Sequence, residues 1–208
     1  MRDLSAVRLN VSRETLQRLY LYCERLEHWS AKINLIAPAP KDLIWDRHIV
    51  DSAQLFNLRQ AGGTWADLGS GGGLPAMVLA IIAQEVEPDL RFHLVESDVR
   101  KAAFLRIFST ELSLNVQVHQ ARAELIAPLR AQTVSARALA PLDKLLSYVH
   151  RHLDPAGVAL LPKGRNHLSE IEAARRNWSF DLDLVDSVAD QESKILRIGQ
   201  IQRNVGSA

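Results

Sequence analysis

Residues Thr64 to Leu74 read T-W-A-D-L-G-S-G-G-G-L, an apolar run that ends in an acid and passes into four glycines within five residues. With Pro75 and the apolar run Ala76 to Ile82 behind it, the stretch predicts a strand, a tight loop and the start of a helix. Glycine admits positive φ and lets backbone N–H groups approach a ligand closely. Proline just inside a helix suits the first position, where no N–H is needed. Asp67, Gly69, Ser70, Gly71, Gly73 and Leu74 are therefore candidates for a cofactor cradle.

The ligand turns on position 74. A dinucleotide fingerprint G-x-G-x-x-G beginning at Gly69 would need glycine there for close helix–strand packing beside a pyrophosphate, and this chain has Leu74. No G-K-[ST] follows, which excludes a nucleoside triphosphate P-loop. The pattern D-x-G-x-G-x-G suits a ligand without phosphates, of which S-adenosylmethionine is the common one; the alternative is a glycine-rich turn that binds nothing. Glu96, at the end of the second predicted strand, can accept both ribose hydroxyls of an adenosyl group. NAD enzymes place an acid similarly, and a solvated glutamate at a strand end is the plainer alternative. Asp67 orders the turn through backbone N–H groups or faces the positively charged part of the ligand. Ala123 and Glu124 follow the third strand, where an adenine ring would be edged, while Arg122 and Glu124 taken alone read as a surface charge pair. Arg137, among small residues at the fourth strand end, holds a cofactor carboxylate or an acceptor phosphate, or pairs with an acid such as Asp143.

The elements that must position these groups follow from pattern. Ser12 with Thr15 offers a cap, and Leu16, Leu19, Tyr20, Cys23, Leu26 and Trp29 trace one helical face. Pro38 and Pro40 interrupt, and Leu43–Leu58 forms a second helical segment. From Thr64 the rhythm alternates, with strands expected at Trp65–Leu68, Arg91–Glu96, Val116–His119, Thr133–Ala136 and Val158–Pro162. Helices fall between them, including Arg100–Leu112 and Pro141–His152. That alternation predicts an α/β, doubly wound, mostly parallel sheet with ligands at the carboxyl ends of its strands. Phe180–Val185 and Lys194–Ile198 alternate with period two and read as a C-terminal antiparallel hairpin. A parallel sheet closed this way is the arrangement of class I methyltransferases. Residues 1–60 are expected to form an N-terminal helical extension and 61–208 one compact unit.

Composition narrows the classes. The 208 residues are 47% hydrophobic and carry a net charge of +1, with a pI near 8.0, enough for one large core without a global attraction to polyanions. Any contact with nucleic acid must be a local patch. One cysteine, Cys23, forbids an internal disulfide and points to a reducing compartment; its apolar neighbours make it a core thiol. No apolar run spans a membrane and no signal-peptide pattern opens the chain, so a soluble, cytoplasmic protein is expected. The seven histidines show no H-x-x-x-H or C-x-x-C spacing, and no metal is expected.

Seven motifs fall in order: W-x3-I-N-L-I at Trp29–Ile36, R-H-I-x-D-S at Arg47–Ser52, D-L-G-S-G-G-G-L-P at Asp67–Pro75, E-S-x3-K-x2-F-L at Glu96–Leu105, R-A-E at Arg122–Glu124, S-A-R-A-L-A at Ser135–Ala140 and P-K-G at Pro162–Gly164. Any one is common, but the ordered set, covering nearly the whole chain, resembles the bacterial 16S rRNA guanine-N7 methyltransferase family RsmG, also called GidB. The resemblance implies a class I, Rossmann-like methyltransferase fold, S-adenosylmethionine as cofactor, and a guanosine of the 530 loop of small-subunit rRNA as acceptor. It places cofactor contacts on Gly69, Leu74, Ala123, Glu124 and Arg137, with Glu96 at the ribose. The family usually has glycine and isoleucine where this chain has Ala76 and Met77, which implies slightly tighter packing near the loop.

Guanine N7 carries a lone pair in the base plane, so no proton leaves before attack. The implied mechanism is one of positioning without a catalytic acid or base. Arg47, His48, Lys163 and Arg165 are the expected RNA contacts, with a capping and packing role as the alternative for Arg47 and His48. Replacing Lys163 by alanine is expected to weaken RNA binding and its salt dependence. The small ribosomal subunit is the expected partner, with no membrane contact and a monomer favoured. Two other readings stay open: a methyltransferase acting on another substrate, and a non-enzymatic RNA- or ribosome-binding module. An NAD dehydrogenase is opposed by Leu74.

Overall fold

The computed structural model describes residues 3–37 and 41–204, so the expected break at Pro38 and Pro40 lies outside the described residues. Helix α1 (Arg13–Ile33) begins where the Ser12 hydroxyl accepts the Thr15 N–H at 3.2 Å. It ends at Asn34, whose φ of 51° is the left-handed conformation that asparagine tolerates. The next helical run changes pitch along its length: α2 (Lys41–Ile44), a π-helical turn (Trp45–Val50), α3 (Asp51–Ala53) and a 3-10 turn (Gln54–Leu58). Sequence periodicity shows one helix there, and the π-helical widening falls on Arg47 and His48, inside the R-H-I-x-D-S motif.

The alternating part builds β1 (Thr64–Leu68), α4 (Ala76–Val86), β2 (Arg91–Glu96), α5 (Val99–Glu111), β3 (Val116–Gln120), β4 (Ala131–Ser135), α6 (Leu142–His152), β5 (Leu153–Lys163), α7 (His167–Arg175), β6 (Trp178–Asp186) and β7 (Lys194–Arg203). The seven strands form one sheet in the order β3-β2-β1-β4-β5-β7-β6. All neighbours are parallel except β7, which runs antiparallel to both β5 and β6. The doubly wound sheet and terminal hairpin are as the alternation predicts. Strand β5 starts five residues earlier than the Val158 expected: Leu153 already pairs with Ala131, and a register shift before Thr133 absorbs the D-P-A-G sequence that reads as a turn. Pro75 sits just before α4 rather than inside it.

Alternate strand residues face opposite layers. Trp65, Phe92, Leu94 and Ile195 join α1, α4 and α5 in one buried cluster, while Ala66, Val95, Leu161 and Leu196 join α6 and α7 in the other. The first cluster also takes Leu19, Tyr22, Leu26, Trp45 and Ile49 from the N-terminal helices, so these lie against the same face of the sheet. Each fully buried Leu or Phe contributes about 1.5–3 kcal/mol. Two ties fix the angle of α1: Glu85 on α4 accepts the Ser12 N–H at 3.0 Å and the Thr15 hydroxyl at 2.6 Å. No helix among the described residues is long and apolar enough to cross a membrane.

Candidate functional site

The order of strands reverses between β1 and β4, and the carboxyl ends of β1 to β4 meet above that point. After β1 the chain turns sharply: Gly69 and Ser70 both donate to the Val95 carbonyl at 2.8 and 3.0 Å, and Gly73 donates to that of Ser70 at 2.7 Å. Gly69, Gly71 and Gly73 take φ of 70°, 56° and 89°, which other residues adopt at a cost. The glycines differ in what surrounds them. A Cβ on Gly73 would meet Met77 Cγ at 2.3 Å and Leu105 Cδ2 at 2.9 Å, whereas one on Gly71 meets nothing closer than 3.9 Å. Gly73 thus admits α4 to the loop, while Gly71 leaves room for a ligand.

Beside this loop lies a cavity of about 490 Å³, within the range of small-ligand sites. Gly69, Ser70, Gly71, Leu74, Glu96, Ala123, Glu124 and Arg137 line it, as do Leu35 and Lys101, which stand in the ordered motifs without an expected role, and Tyr148, which the sequence did not single out. Gly73 and Asp67 stand behind the wall. Glu96 is buried and bridges loop and helix: one oxygen accepts the Gly71 N–H and the other the Asp98 N–H, both at 2.7 Å. Ala123 is placed from beneath by His152, fully buried, whose Nε2 donates to the Ala123 carbonyl at 2.8 Å. Arg122 and Glu124 lie 4.0 Å apart on the exposed rim, the surface charge pair that sequence also allowed.

Among the described residues no backbone N–H donates to the Asp67 carboxylate. Its Oδ1 accepts the Ser135 hydroxyl at 2.6 Å, and that hydroxyl accepts Trp65 Nε1 at 2.8 Å, so β1 and β4 are pinned at the root of the loop. Oδ2 has no hydrogen-bond donor among the described residues. Burial raises the Asp67 pKa to about 6, against the lowering influence of Ser135, Ser70 and Arg137.

A second cavity of about 1090 Å³ adjoins the first and shares the turn Arg137 to Ala140 with it. Arg47, His48 and Lys163 line it. Arg165 does not; it is exposed and pairs with Glu192 at 3.3 Å. Lys163 is largely buried, pairs with Glu170 at 2.7 Å and donates to the Ala140 carbonyl at 3.0 Å. Arg137 finds no partner in Asp143, which accepts from Asn177 instead. Its guanidinium lies 3.6 Å from Asp51 and 3.3 Å from His48 Nδ1. Burial, helped by that guanidinium, lowers the His48 pKa to about 4, and burial raises that of Asp51 despite the neighbouring cation. Among the described residues no group of three or more His, Cys, Asp and Glu is arranged to hold a metal.

The sequence reading missed Tyr22. Its ring is fully buried and its hydroxyl donates to the Gly72 carbonyl at 2.5 Å. Its spacing from Leu19 and Leu26 carried the signal, since positions three before and four after share a helical face.

These residues fit an adenosyl ligand. The open side of Gly71 leaves space, and a carboxylate has lone pairs beyond the two that Glu96 uses, enough for ribose hydroxyls. The profile of the family described as rRNA small subunit methyltransferase G matches residues 15–198. The ribosomal RNA small subunit methyltransferase G of Cereibacter sphaeroides is 53% identical over 191 residues, covering 91% of this chain and 92% of that one. The protein of the same name from a Ruegeria species is 46% identical, covering 94% and 95%. Among solved structures, the TehB-like SAM-dependent methyltransferase from Corynebacterium glutamicum superposes with a TM-score of 0.58 at 13% identity, covering 88% of this chain and 98% of that one, a likeness of fold.

Proposed function

Because this chain belongs to the rRNA small subunit methyltransferase G family, with S-adenosylmethionine as cofactor, we propose that it methylates N7 of a guanosine in the 530 loop (position 527) of 16S rRNA. When bound, the cofactor supplies an electrophilic methyl group on sulfur. The chain's own residues then have three tasks: to hold the adenosyl group, to admit a base from the second cavity, and to keep water from the junction. Gly69, Gly71 and Leu74 shape the wall, Glu96 takes the ribose, and Ala123 and Glu124 edge the adenine. Arg47 and His48 belong to the acceptor side.

One observation carries the acceptor. Of the four residues shared by the two cavities, Arg137, Ala138, Leu139 and Ala140, the one ionisable group is a guanidinium, which cannot take up a proton. His48 beside it is a weak base, and the nearest carboxylate, Asp51, is occupied by Arg137. A junction of that composition favours an acceptor with a ready lone pair, and guanine N7 is one. An RNA base reaches such a pocket by leaving its stack.

The test is incubation with labelled S-adenosylmethionine and small subunits from cells lacking the modification, followed by nucleoside mapping. Label at guanine N7 in the 530 loop is expected. Label at another atom or in another acceptor sinks the specific reading.

A further inference from the structure

We propose that His152 is a positioning residue that aims one backbone N–H, that of Glu124, at the edge of the cofactor's adenine, an inference that rests on the placement of adenine at Ala123 and Glu124 above. The buried stripe of α6 runs Leu142, Leu145, Leu146 and Val149, and its next position is His152, where the spacing calls for another apolar side chain. The imidazole is fully buried there. Its Nε2 lies 2.8 Å from the Ala123 carbonyl, and a carbonyl only accepts, so Nε2 carries the proton. Burial holds the pKa of the ring below its ordinary value, so it is neutral near pH 7 and Nδ1 is bare. That Nδ1 has no hydrogen-bond partner among the described residues. A buried nitrogen without a partner destabilises the fold, and a leucine at 152 would bring none. The ring is retained for its other nitrogen, whose bond reaches the cofactor site.

That bond fixes the direction of a ligand donor. The Ala123 carbonyl and the Glu124 N–H belong to one planar trans peptide and point opposite ways. Ala123 and Glu124 line the cofactor cavity, whereas His152 does not. With the carbonyl held on the buried side, the Glu124 N–H is turned to the cavity side. The end of α6 grips the 3-10 turn Ala123–Leu125 a second time, since Arg151 donates from Nε and Nη2 to the Ile126 carbonyl at 3.2 and 2.8 Å. Two consecutive residues of one helix thus hold both ends of the turn. Adenine presents ring nitrogens as acceptors, and a donor already fixed in direction needs no ordering when the base arrives.

Calorimetry with S-adenosylhomocysteine and its 1-deaza, 3-deaza and 7-deaza analogues tests this, each analogue lacking one ring-nitrogen acceptor. In wild type one analogue is expected to bind about fivefold or more weakly than the parent compound. His152→Leu is expected to weaken the parent by a similar factor and to bind that analogue no worse than the parent. His152→Gln, whose amide still donates, is expected to stay within about twofold of wild type. His152→Met, also without a donor, serves if His152→Leu fails to fold. In steady-state methylation His152→Leu is expected to raise KM for S-adenosylmethionine by the same factor and to leave kcat and KM for the small subunit unchanged. Equal weakening in His152→Leu and His152→Gln, unchanged affinity in His152→Leu or His152→Met, or a shift that falls on KM for the subunit overturns the inference. On the wild type alone, 15N NMR is expected to show the His152 ring protonated on Nε2, and a ring protonated on Nδ1 instead overturns it. Equal binding of all four ligands by wild type sinks the placement of adenine, and the inference with it. A wild-type penalty that persists in full in His152→Leu sinks the inference alone.

Discussion

The Tyr22 hydroxyl donates a 2.5 Å hydrogen bond to the Gly72 carbonyl and so ties the N-terminal helix to the glycine loop. Burial raises the Tyr22 pKa well above its ordinary value, so the hydroxyl stays a donor. The loop rests on the same helix and on the bend that follows it through apolar contact: a Cβ at Gly72 would lie 3.1 Å from Leu26 in the helix and 3.2 Å from Leu35 just beyond it. Leu35 also lines the cofactor cavity. The helical extension is thus the back of the cradle.

Tyr22→Phe keeps the ring in its buried site but leaves the Gly72 carbonyl without this donor, a loss of about 1–2 kcal/mol. Thermal unfolding should show that cost, and calorimetry should show weaker S-adenosylmethionine binding, because the loop loses its fixed height. A variant with lowered stability and unchanged cofactor affinity would limit Tyr22 to packing.

Gly71→Ala and Gly73→Ala should separate ligand binding from folding. At Gly71 the added methyl has space, so stability falls by only about 1–2 kcal/mol for the left-handed φ while cofactor binding is lost to obstruction. At Gly73 the methyl collides with Met77 and Leu105, and the fold itself is expected to suffer. Equal effects of the two changes on cofactor affinity and on melting temperature would contradict this assignment.

The strand–loop–helix at Asp67 to Leu74, the parallel sheet and the hairpin were legible because each rests on local chemistry: glycine φ, period-two alternation, apolar spacing. Most expected lining residues, from Gly69 to Arg137, meet at one cavity because strand ends in a doubly wound sheet must converge. What local pattern does not carry is partnership across long separations. Arg137 meets Asp51 rather than Asp143, and Asp67 meets Ser135 rather than backbone N–H groups. Nothing within a few residues of either carboxylate announces its partner. Tyr22 was hidden for another reason: Tyr20, two residues earlier in the same turn, flanks the apolar face on its other edge and stacks on Trp45.

Asp67 gives the protein a pH dependence whose sign is fixed. Its folded-state pKa of about 6 exceeds the ordinary 3.8, so between these values the folded protein holds more proton than the unfolded chain. Stability from the protonated carboxyl is whole below about pH 4 and is lost as pH rises through 6, a change of about 3 kcal/mol. Denaturant titrations of wild type should show that decline, and Asp67→Asn should flatten it. A cation bound in the cavity whose wall Asp67 backs favours the ionised form of this carboxylate. S-adenosylmethionine affinity should therefore strengthen from pH 5 to 7 in wild type, and the uncharged sulfur of S-adenosylhomocysteine should respond less. A flat stability curve in wild type would sink the assignment.

Lys163 was expected from sequence to meet RNA phosphates, and the structure gives its amine two protein partners. It bridges Glu170 and the Ala140 carbonyl, while Glu170 also accepts the Leu142 N–H at 2.8 Å, so one ion pair fastens β5, α7 and the turn that both cavities share. The Lys163 side chain is only 10% exposed. Lys163→Met keeps the stem and strands Glu170, with an expected cost of about 3 kcal/mol in unfolding free energy. The salt dependence of RNA binding should hardly change, since the charge lost was already neutralised. Arg47→Ala is the contrast: removal of this exposed cation, which lines the second cavity, should reduce the slope of log K against log salt by about one. A reduced slope for Lys163→Met at unchanged melting temperature would return Lys163 to the RNA contacts.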